Sequence, residues 1–138
     1  MRFTKFRAWD KVNGAMIDVH KLGMEDGGYV YTRDGAVNED YRKIGSGDIE
    51  LMQFTGRRVN ENGQEIYVGD IMRNPAIGNY VPEMIGVVVF VNKFSAFMVR
   101  HSGKGTMLGT THEELNRWAE RGEIIGNIYE NPDMLQTG

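Results

Sequence analysis

Turn signals constrain this chain more than any other feature of it. Asparagine or aspartate followed by glycine tolerates the positive φ angles of a tight hairpin, and such pairs stand at Asn13-Gly14, Asp34-Gly35 and Asn62-Gly63. Asp26-Gly27-Gly28 is a looser version. Eighteen glycines against three prolines in 138 residues point the same way, toward short strands joined by many tight turns. The segments between the turns have strand character. TKFRAWD alternates, so that Phe6 faces away from Lys5 and Arg7, and AMIDV follows the first turn and would pair back on it. GGYVYT places tyrosines around a valine, which suits a pleated surface, and DIELMQFTG puts Ile49, Leu51 and Gln53 on one face.

The second half is more regular. In EIYVGDIMRN a Gly-Asp step at 69–70 turns the chain into a strand at Ile71. IGVVVFVN, residues 85–92, is apolar and β-branched almost throughout, the pattern of a central strand covered on both faces. SAFMVRH reads as its antiparallel return, with Asn92 and Lys93 near the turn. One helix is predicted, at about 111–121. Thr111 is its expected cap with Glu114 at the capping-box position, and Leu115, Trp118 and Ala119 share a face. Gly122 stands where a C-terminal glycine belongs. In the closing EIIGNIYENPDML, Ile124, Ile125 and Ile128 are expected to form the last strand. Gly126 is expected to allow a bulge or a close approach, and Pro132 to end the strand.

Composition narrows the function classes. An apolar fraction of 41% and a charged fraction of 25% are ordinary for a soluble globular chain. With no cysteine, disulfides, thiolate metal sites and cysteine nucleophiles are excluded together. Net charge is −3, so no global polycation exists to hold a nucleic acid backbone. No run is long and apolar enough for a membrane span, and MRFTKFRAWDKV has no apolar signal-peptide core. His20, His101 and His112 lack metal-ligand spacing and are read as surface or capping residues. HSGKGT at 101–106 fails as a phosphate loop, because Met98 and Gly105 stand where glycine and Ser/Thr are required. What such a glycine-rich turn can still do is bind a small anion through backbone N–H groups, with Lys104 and Arg100 adding charge. Ser46 in KIGSGD has no base nearby in the sequence.

Three blocks, KFRAWDKVNGAM, LMQFTGRRVNENGQEIYVGDI and EIIGNIYENPDML, resemble the YopX family of small bacteriophage and prophage proteins. The resemblance implies a mostly β protein whose second half is similar to an SH3-like barrel. It implies no reaction and no catalytic residues.

The expected architecture is therefore mainly β: an N-terminal β-hairpin region, 1–55, packed on an SH3-like β-barrel, 56–138, with one α-helix at about 111–121, the two parts forming one compact unit. The expected role is a non-enzymatic protein-interaction module in the cytoplasm of a bacterial host, partnered by itself as a homo-oligomer and by an unidentified host or phage protein. The proline-bounded loop NPAIGNYVPEM, 74–84, motivates it, since it places Ile77, Tyr80 and Val81 outside a strand. Two alternatives remain: nucleotide or small-anion sequestration through Arg100 and Lys104, and a nucleic-acid-binding barrel. For the latter, Arg57, Arg58, Arg73, Lys93, Arg100 and Lys104 supply charge, and Tyr67, Tyr80, Phe94 and Phe97 supply stacking faces. The expected binding residues are Arg100, Lys104, Arg73 and Tyr80. No catalytic residue, metal ligand, cofactor or membrane contact is expected.

Overall fold

The computed structural model describes residues 5–19, 21–23, 28–34, 38–44, 49–101 and 111–136. These residues form twelve strands, one α-helix and two short 3-10 turns. The chain divides into two compact units, residues 3–53 and 54–138.

The first unit is built of hairpins. Strand β1 (Phe6–Asp10) pairs antiparallel with β2 (Ala15–Asp18) on one side and with the first half of β6 (Ile49–Arg58) on the other. β3 (Lys21–Gly23), β4 (Tyr29–Asp34) and β5 (Asn38–Lys43) form a separate antiparallel meander. Ala8 and Ile49 are buried, with Ile17, Val19, Leu22, Ile44 and Leu51 packed against them. The first turn differs from the expected two-residue Asn-Gly form. It spans residues 11–14, with Asp10 opposite Ala15, and only Gly14 has a positive φ, of 63°. Asp10 organises it: one carboxylate oxygen accepts from the backbone N–H of Val12 and Asn13, the other from the Asn13 side-chain amide at 2.7 Å. The buried carboxylate adds Asx-type bonds to a backbone turn that Gly14 N–H closes on Asp10 O at 2.9 Å. Gly35 lies outside the described residues.

The second unit begins within β6. It continues through β7 (Glu65–Tyr67), β8 (Asp70–Asn74), β9 (Met84–Val91), β10 (Ala96–His101), β11 (Thr111–Glu114), α1 (Leu115–Arg121) and β12 (Glu123–Asn127). Five of these strands make one curled antiparallel sheet in the order β11-β10-β9-β8-β12, a half-barrel where the SH3-like barrel is expected. Alternation along the strands splits its side chains between two faces. One face carries Met72, Val88 and Val99, which pack with Ile66, Leu115, Trp118 and Ala119 into the main core. The other carries Ile71 and Val87, covered by Ile85, Val89, Ile125, Ile128 and Met134. β9 is thus central and covered on both faces in its middle, as its composition predicts, but Phe90 near its end is 47% exposed.

The helix is shorter than predicted. Residues 111–114 extend along β10, from Glu114 opposite Met98 to Thr111 opposite His101. Glu114 precedes the helix with φ −60° and ψ 135° and makes no side-chain cap, so the Thr111–Glu114 capping box does not form. The backbone groups on the outer side of β10 need partners, and this segment supplies them. The apolar face is as expected: Leu115, Trp118 and Ala119 are buried. Gly122 does end the helix, though not in a left-handed conformation. A Cβ there would lie 2.6 Å from the Trp118 carbonyl oxygen and 2.8 Å from that of Arg73, so close approach requires the glycine.

The C-terminal segment also shifts in detail. β12 pairs with β8, and its register slips between Ile124 and Gly126, leaving Ile125 as a bulge. Gly126 sits against the Asn131 side chain, where a Cβ would collide. The strand ends at Asn127, well before Pro132. The buried Asn127 side chain accepts from the N–H groups of Tyr129 and Glu130, and Asn131 accepts from that of Asn127. This pair of asparagines turns the chain, and Pro132 opens a 3-10 turn instead. Asn62-Gly63 is likewise displaced as a turn. Positive φ falls on Asn60 and Glu61, at 51° and 66°.

Candidate functional site

The loop between β8 and β9 is a small hairpin of its own. Ile77 and Val81 form a bridge, with Ile77 N–H donating to Val81 O at 2.9 Å and Val81 N–H donating back at 3.2 Å. Gly78, with φ of 52°, permits the tight reversal. The result is a pinned tip that holds Tyr80 out at 94% exposure, beside Ile77 at 42%. Of the two fates open to apolar residues in this loop, tucked down or presented, Tyr80 takes the second.

The cations are arranged differently. Arg73 and Arg100 occupy the same face of the half-barrel, because Arg73 pairs in register with Ile85 and Arg100 with Val87. β9 lies between them, which sets their Cα atoms about 12 Å apart by ordinary strand spacing. Arg73 is already engaged. Its Nε donates to Glu123 Oε1 at 2.8 Å, a second guanidinium nitrogen contacts the same oxygen, and Glu83 lies 3.6 Å away. The hydrogen bond from Arg73 to Glu123, with that carboxylate's charge, raises the guanidinium pKa further above its usual value. Arg100 is half-buried on β10, opposite the exposed His112 of β11. Lys104 lies outside the described residues. Arg73 is thus matched by carboxylates, while Arg100 stands two strands away from it on the same face.

Other sequence readings are sorted by burial. Tyr67 is buried and Phe97 packs on the main core, so of the four aromatics considered for stacking, Tyr80 and Phe94 are exposed. Phe90 joins them, edge-on to Phe97 at 5.2 Å between centroids, with Lys93 5.8 Å from the Phe94 ring. Sequence patterning missed Phe90 because it sits in an apolar run with no local mark of where cover ends. His101 is buried rather than a surface or capping residue. Its Nε2 lies 2.5 Å from Glu113 and its ring 5.6 Å from that of Trp118. His112 is exposed and His20 lies outside the described residues. Among the described residues no cluster of histidines and carboxylates is placed to hold a metal ion, and no helix is long and apolar enough to cross a membrane.

A cleft of about 360 Å³ opens in the second unit between the β6–β7 loop and the last turn of α1. Arg57, Arg58, Asn60, Glu61, Ala119 and Glu120 line it.

The fold and these surfaces define a mainly β protein with a helix-covered half-barrel. Residues 5–136 match the YopX protein family, and the chain belongs to it. The chain is also similar to a solved structure, the crystal structure of protein EF1440 from Enterococcus faecalis, at 22% identity and a TM-score of 0.63, with 99% of this chain and 100% of that one covered. That likeness is one of fold. No curated protein matches this chain.

Proposed function

We propose that this protein is a non-catalytic protein-interaction module that self-associates and engages a further protein through the Tyr80 loop. It acts in the cytoplasm of a bacterium carrying the phage or prophage that encodes it. The observation behind this reading is the 94% exposure of Tyr80 on a loop pinned by the Ile77–Val81 bridge. A rigid, exposed aromatic is a strong interface anchor, since it brings a large contact area and loses little conformational freedom on binding. Native mass spectrometry of the parent protein and of Tyr80→Ala, with a photo-crosslinking phenylalanine analogue replacing Tyr80 in a bacterial host, tests it. Oligomers that Tyr80→Ala dissociates, and crosslinked adducts formed from position 80, are the expected result. A monomer that yields no adduct from position 80 would refute it.

A second reading rests on a separate surface. Phe90 and Phe94 are exposed beside Lys93 at the β9–β10 tip, an arrangement suited to stacking single-stranded bases. Salt-sensitive retention of oligonucleotides, lost in Phe94→Ala, is its test. The small-anion alternative rests on Arg100 and on Lys104, which lies outside the described residues.

A further inference from the structure

The cleft beside α1 has three properties that packing alone does not call for. The first is how Arg57 reaches it. The β6–β7 ladder pairs Phe54 with Tyr67 and Arg58 with Glu65, so residues 55–57 oppose Ile66 alone. That bulge is anchored: Thr55 Oγ1 donates to Ile66 O at 2.8 Å and accepts from Arg57 N–H at 3.2 Å, and Gly56 adopts φ of 85°. A bulge of this kind re-aims a side chain. The second is that the Arg57 Nε is shielded from solvent and has no hydrogen-bond acceptor. A shielded guanidinium N–H without a partner is uncommon in native structures and calls for an explanation. The third is the opposite wall. Asn60 and Glu61 both hold left-handed conformations, uncommon for a glutamate, and Asn60 N–H is tied to Ala119 O at 2.9 Å. The wall is therefore held in place rather than loose.

The charges around the cleft are unevenly matched. Arg58 is taken up by Glu65, at 3.2 Å, and by the Gly63 carbonyl at 3.3 Å. That leaves Arg57 as the cleft's cation without an acidic partner among the described residues, in a cleft also lined by Glu61 and Glu120, which have no basic partner there. A ligand complementary to these walls carries one negative group and two positive ones. The volume lies within the usual range of small-molecule sites, roughly 300–1,000 Å³. We propose that this cleft binds a cationic amino acid of the lysine or arginine class, with the ligand carboxylate on the Arg57 guanidinium and its two cationic groups toward Glu61 and Glu120. Guanidinium geometry favours the carboxylate, because its N–H donors form a planar fork that matches two oxygens. This site is separate from the Tyr80 loop and stands or falls without it.

The experiment is a titration of the full chain with L-lysine and L-arginine, followed by the NMR shifts of the Asn60 and Glu61 amides and of the Arg57 Nε–H. Saturable shifts with a dissociation constant of about 1 mM or tighter are expected. Cadaverine, which lacks the carboxylate, and acetate, which lacks the cations, should bind at least about tenfold more weakly, a difference of about 1.4 kcal/mol. Arg57→Gln should weaken lysine binding to a similar degree, and Glu61→Gln and Glu120→Gln should each weaken it less. Should Arg57→Gln prove unfolded, Arg57→Lys keeps the charge but loses the fork and should still weaken binding. No saturable shift by about 10 mM lysine would overturn the proposal, as would acetate binding as tightly as lysine, or affinity unchanged in the Arg57 variants.

Discussion

The two faces of the half-barrel are made by the same strands, yet they are put to different uses. On the helix side, Met72, Val88 and Val99 are sealed by Trp118, Leu115 and Ala119, and every one of these side chains is buried. On the opposite side, among the described residues, Ile125, Ile128 and Met134 from the C-terminal segment cover the part over β8 and β9. The β10–β11 part of that side carries Arg100, His112 and Glu114, half-buried or exposed. The apolar character of β9 tells where cover can exist. The segments packed against it determine where cover does exist.

This contrast has consequences that can be measured. The largest effect is expected from Trp118→Ala, which empties the centre of the sealed face and should cost roughly 3–5 kcal/mol in denaturant unfolding. Ile128→Ala, on the half-covered face, should cost about 2 kcal/mol, the low end for such a truncation. Equal losses in the two variants would break the distinction between the faces. Gly122→Ala comes next, because the new methyl meets two backbone carbonyl oxygens that cannot move independently. A loss of about 1–3 kcal/mol is expected, read as a lower melting temperature with the far-UV spectrum retained.

Much of the sealed face is legible in the residues. Leu115, Trp118 and Ala119 recur at helical spacing, and Val88 and Val99 sit in apolar runs, so their place in the core follows from periodicity. Less of the outer face is legible. Arg73 and Arg100 read equally well as an anion site or as solvated charges. The choice depends on Glu123, fifty residues along the chain from Arg73 and brought to it by the β8–β12 pairing. The Arg57 cleft was hidden for a related reason: nothing local signals that residues 55–57 bulge, or that α1 ends beside Asn60.

Smaller effects sharpen the same contrast. Arg73→Gln and Glu123→Gln should leave the melting temperature nearly unchanged and make it less sensitive to salt, since the pair is exposed and screened. The Arg73 pKa is raised in the fold, so whatever stability the group adds is complete below its ordinary value and lost only above it. A flat stability profile from neutral to mildly alkaline pH is the expected contribution of this pair. The smallest effect on stability is expected from Tyr80→Ala, within about 0.5 kcal/mol of the parent, because the ring touches little of its own chain. A substantial loss of stability there would mean that Tyr80 is structural and not presented.

By itself the sequence determined the periodicities: a mainly β chain, a central strand at 85–92, its return at 95–101, and a helical face of Leu115, Trp118 and Ala119. These depend on side-chain alternation and spacing, which neighbours along the chain dictate. Tertiary structure decided the ends of elements and the partners of charges. Residues 111–114 carry helix-start signals yet pair as a strand, because the open edge of β10 offers backbone hydrogen bonds that outweigh a local cap. The last strand stops at Asn127 rather than at Pro132, because the buried Asn127 and half-buried Asn131 side chains turn the chain first. Local propensities differ by only a few tenths of a kcal/mol per residue, whereas a buried backbone group left unpaired costs about 1–3 kcal/mol. At those junctions the need to pair backbone groups overrides propensity.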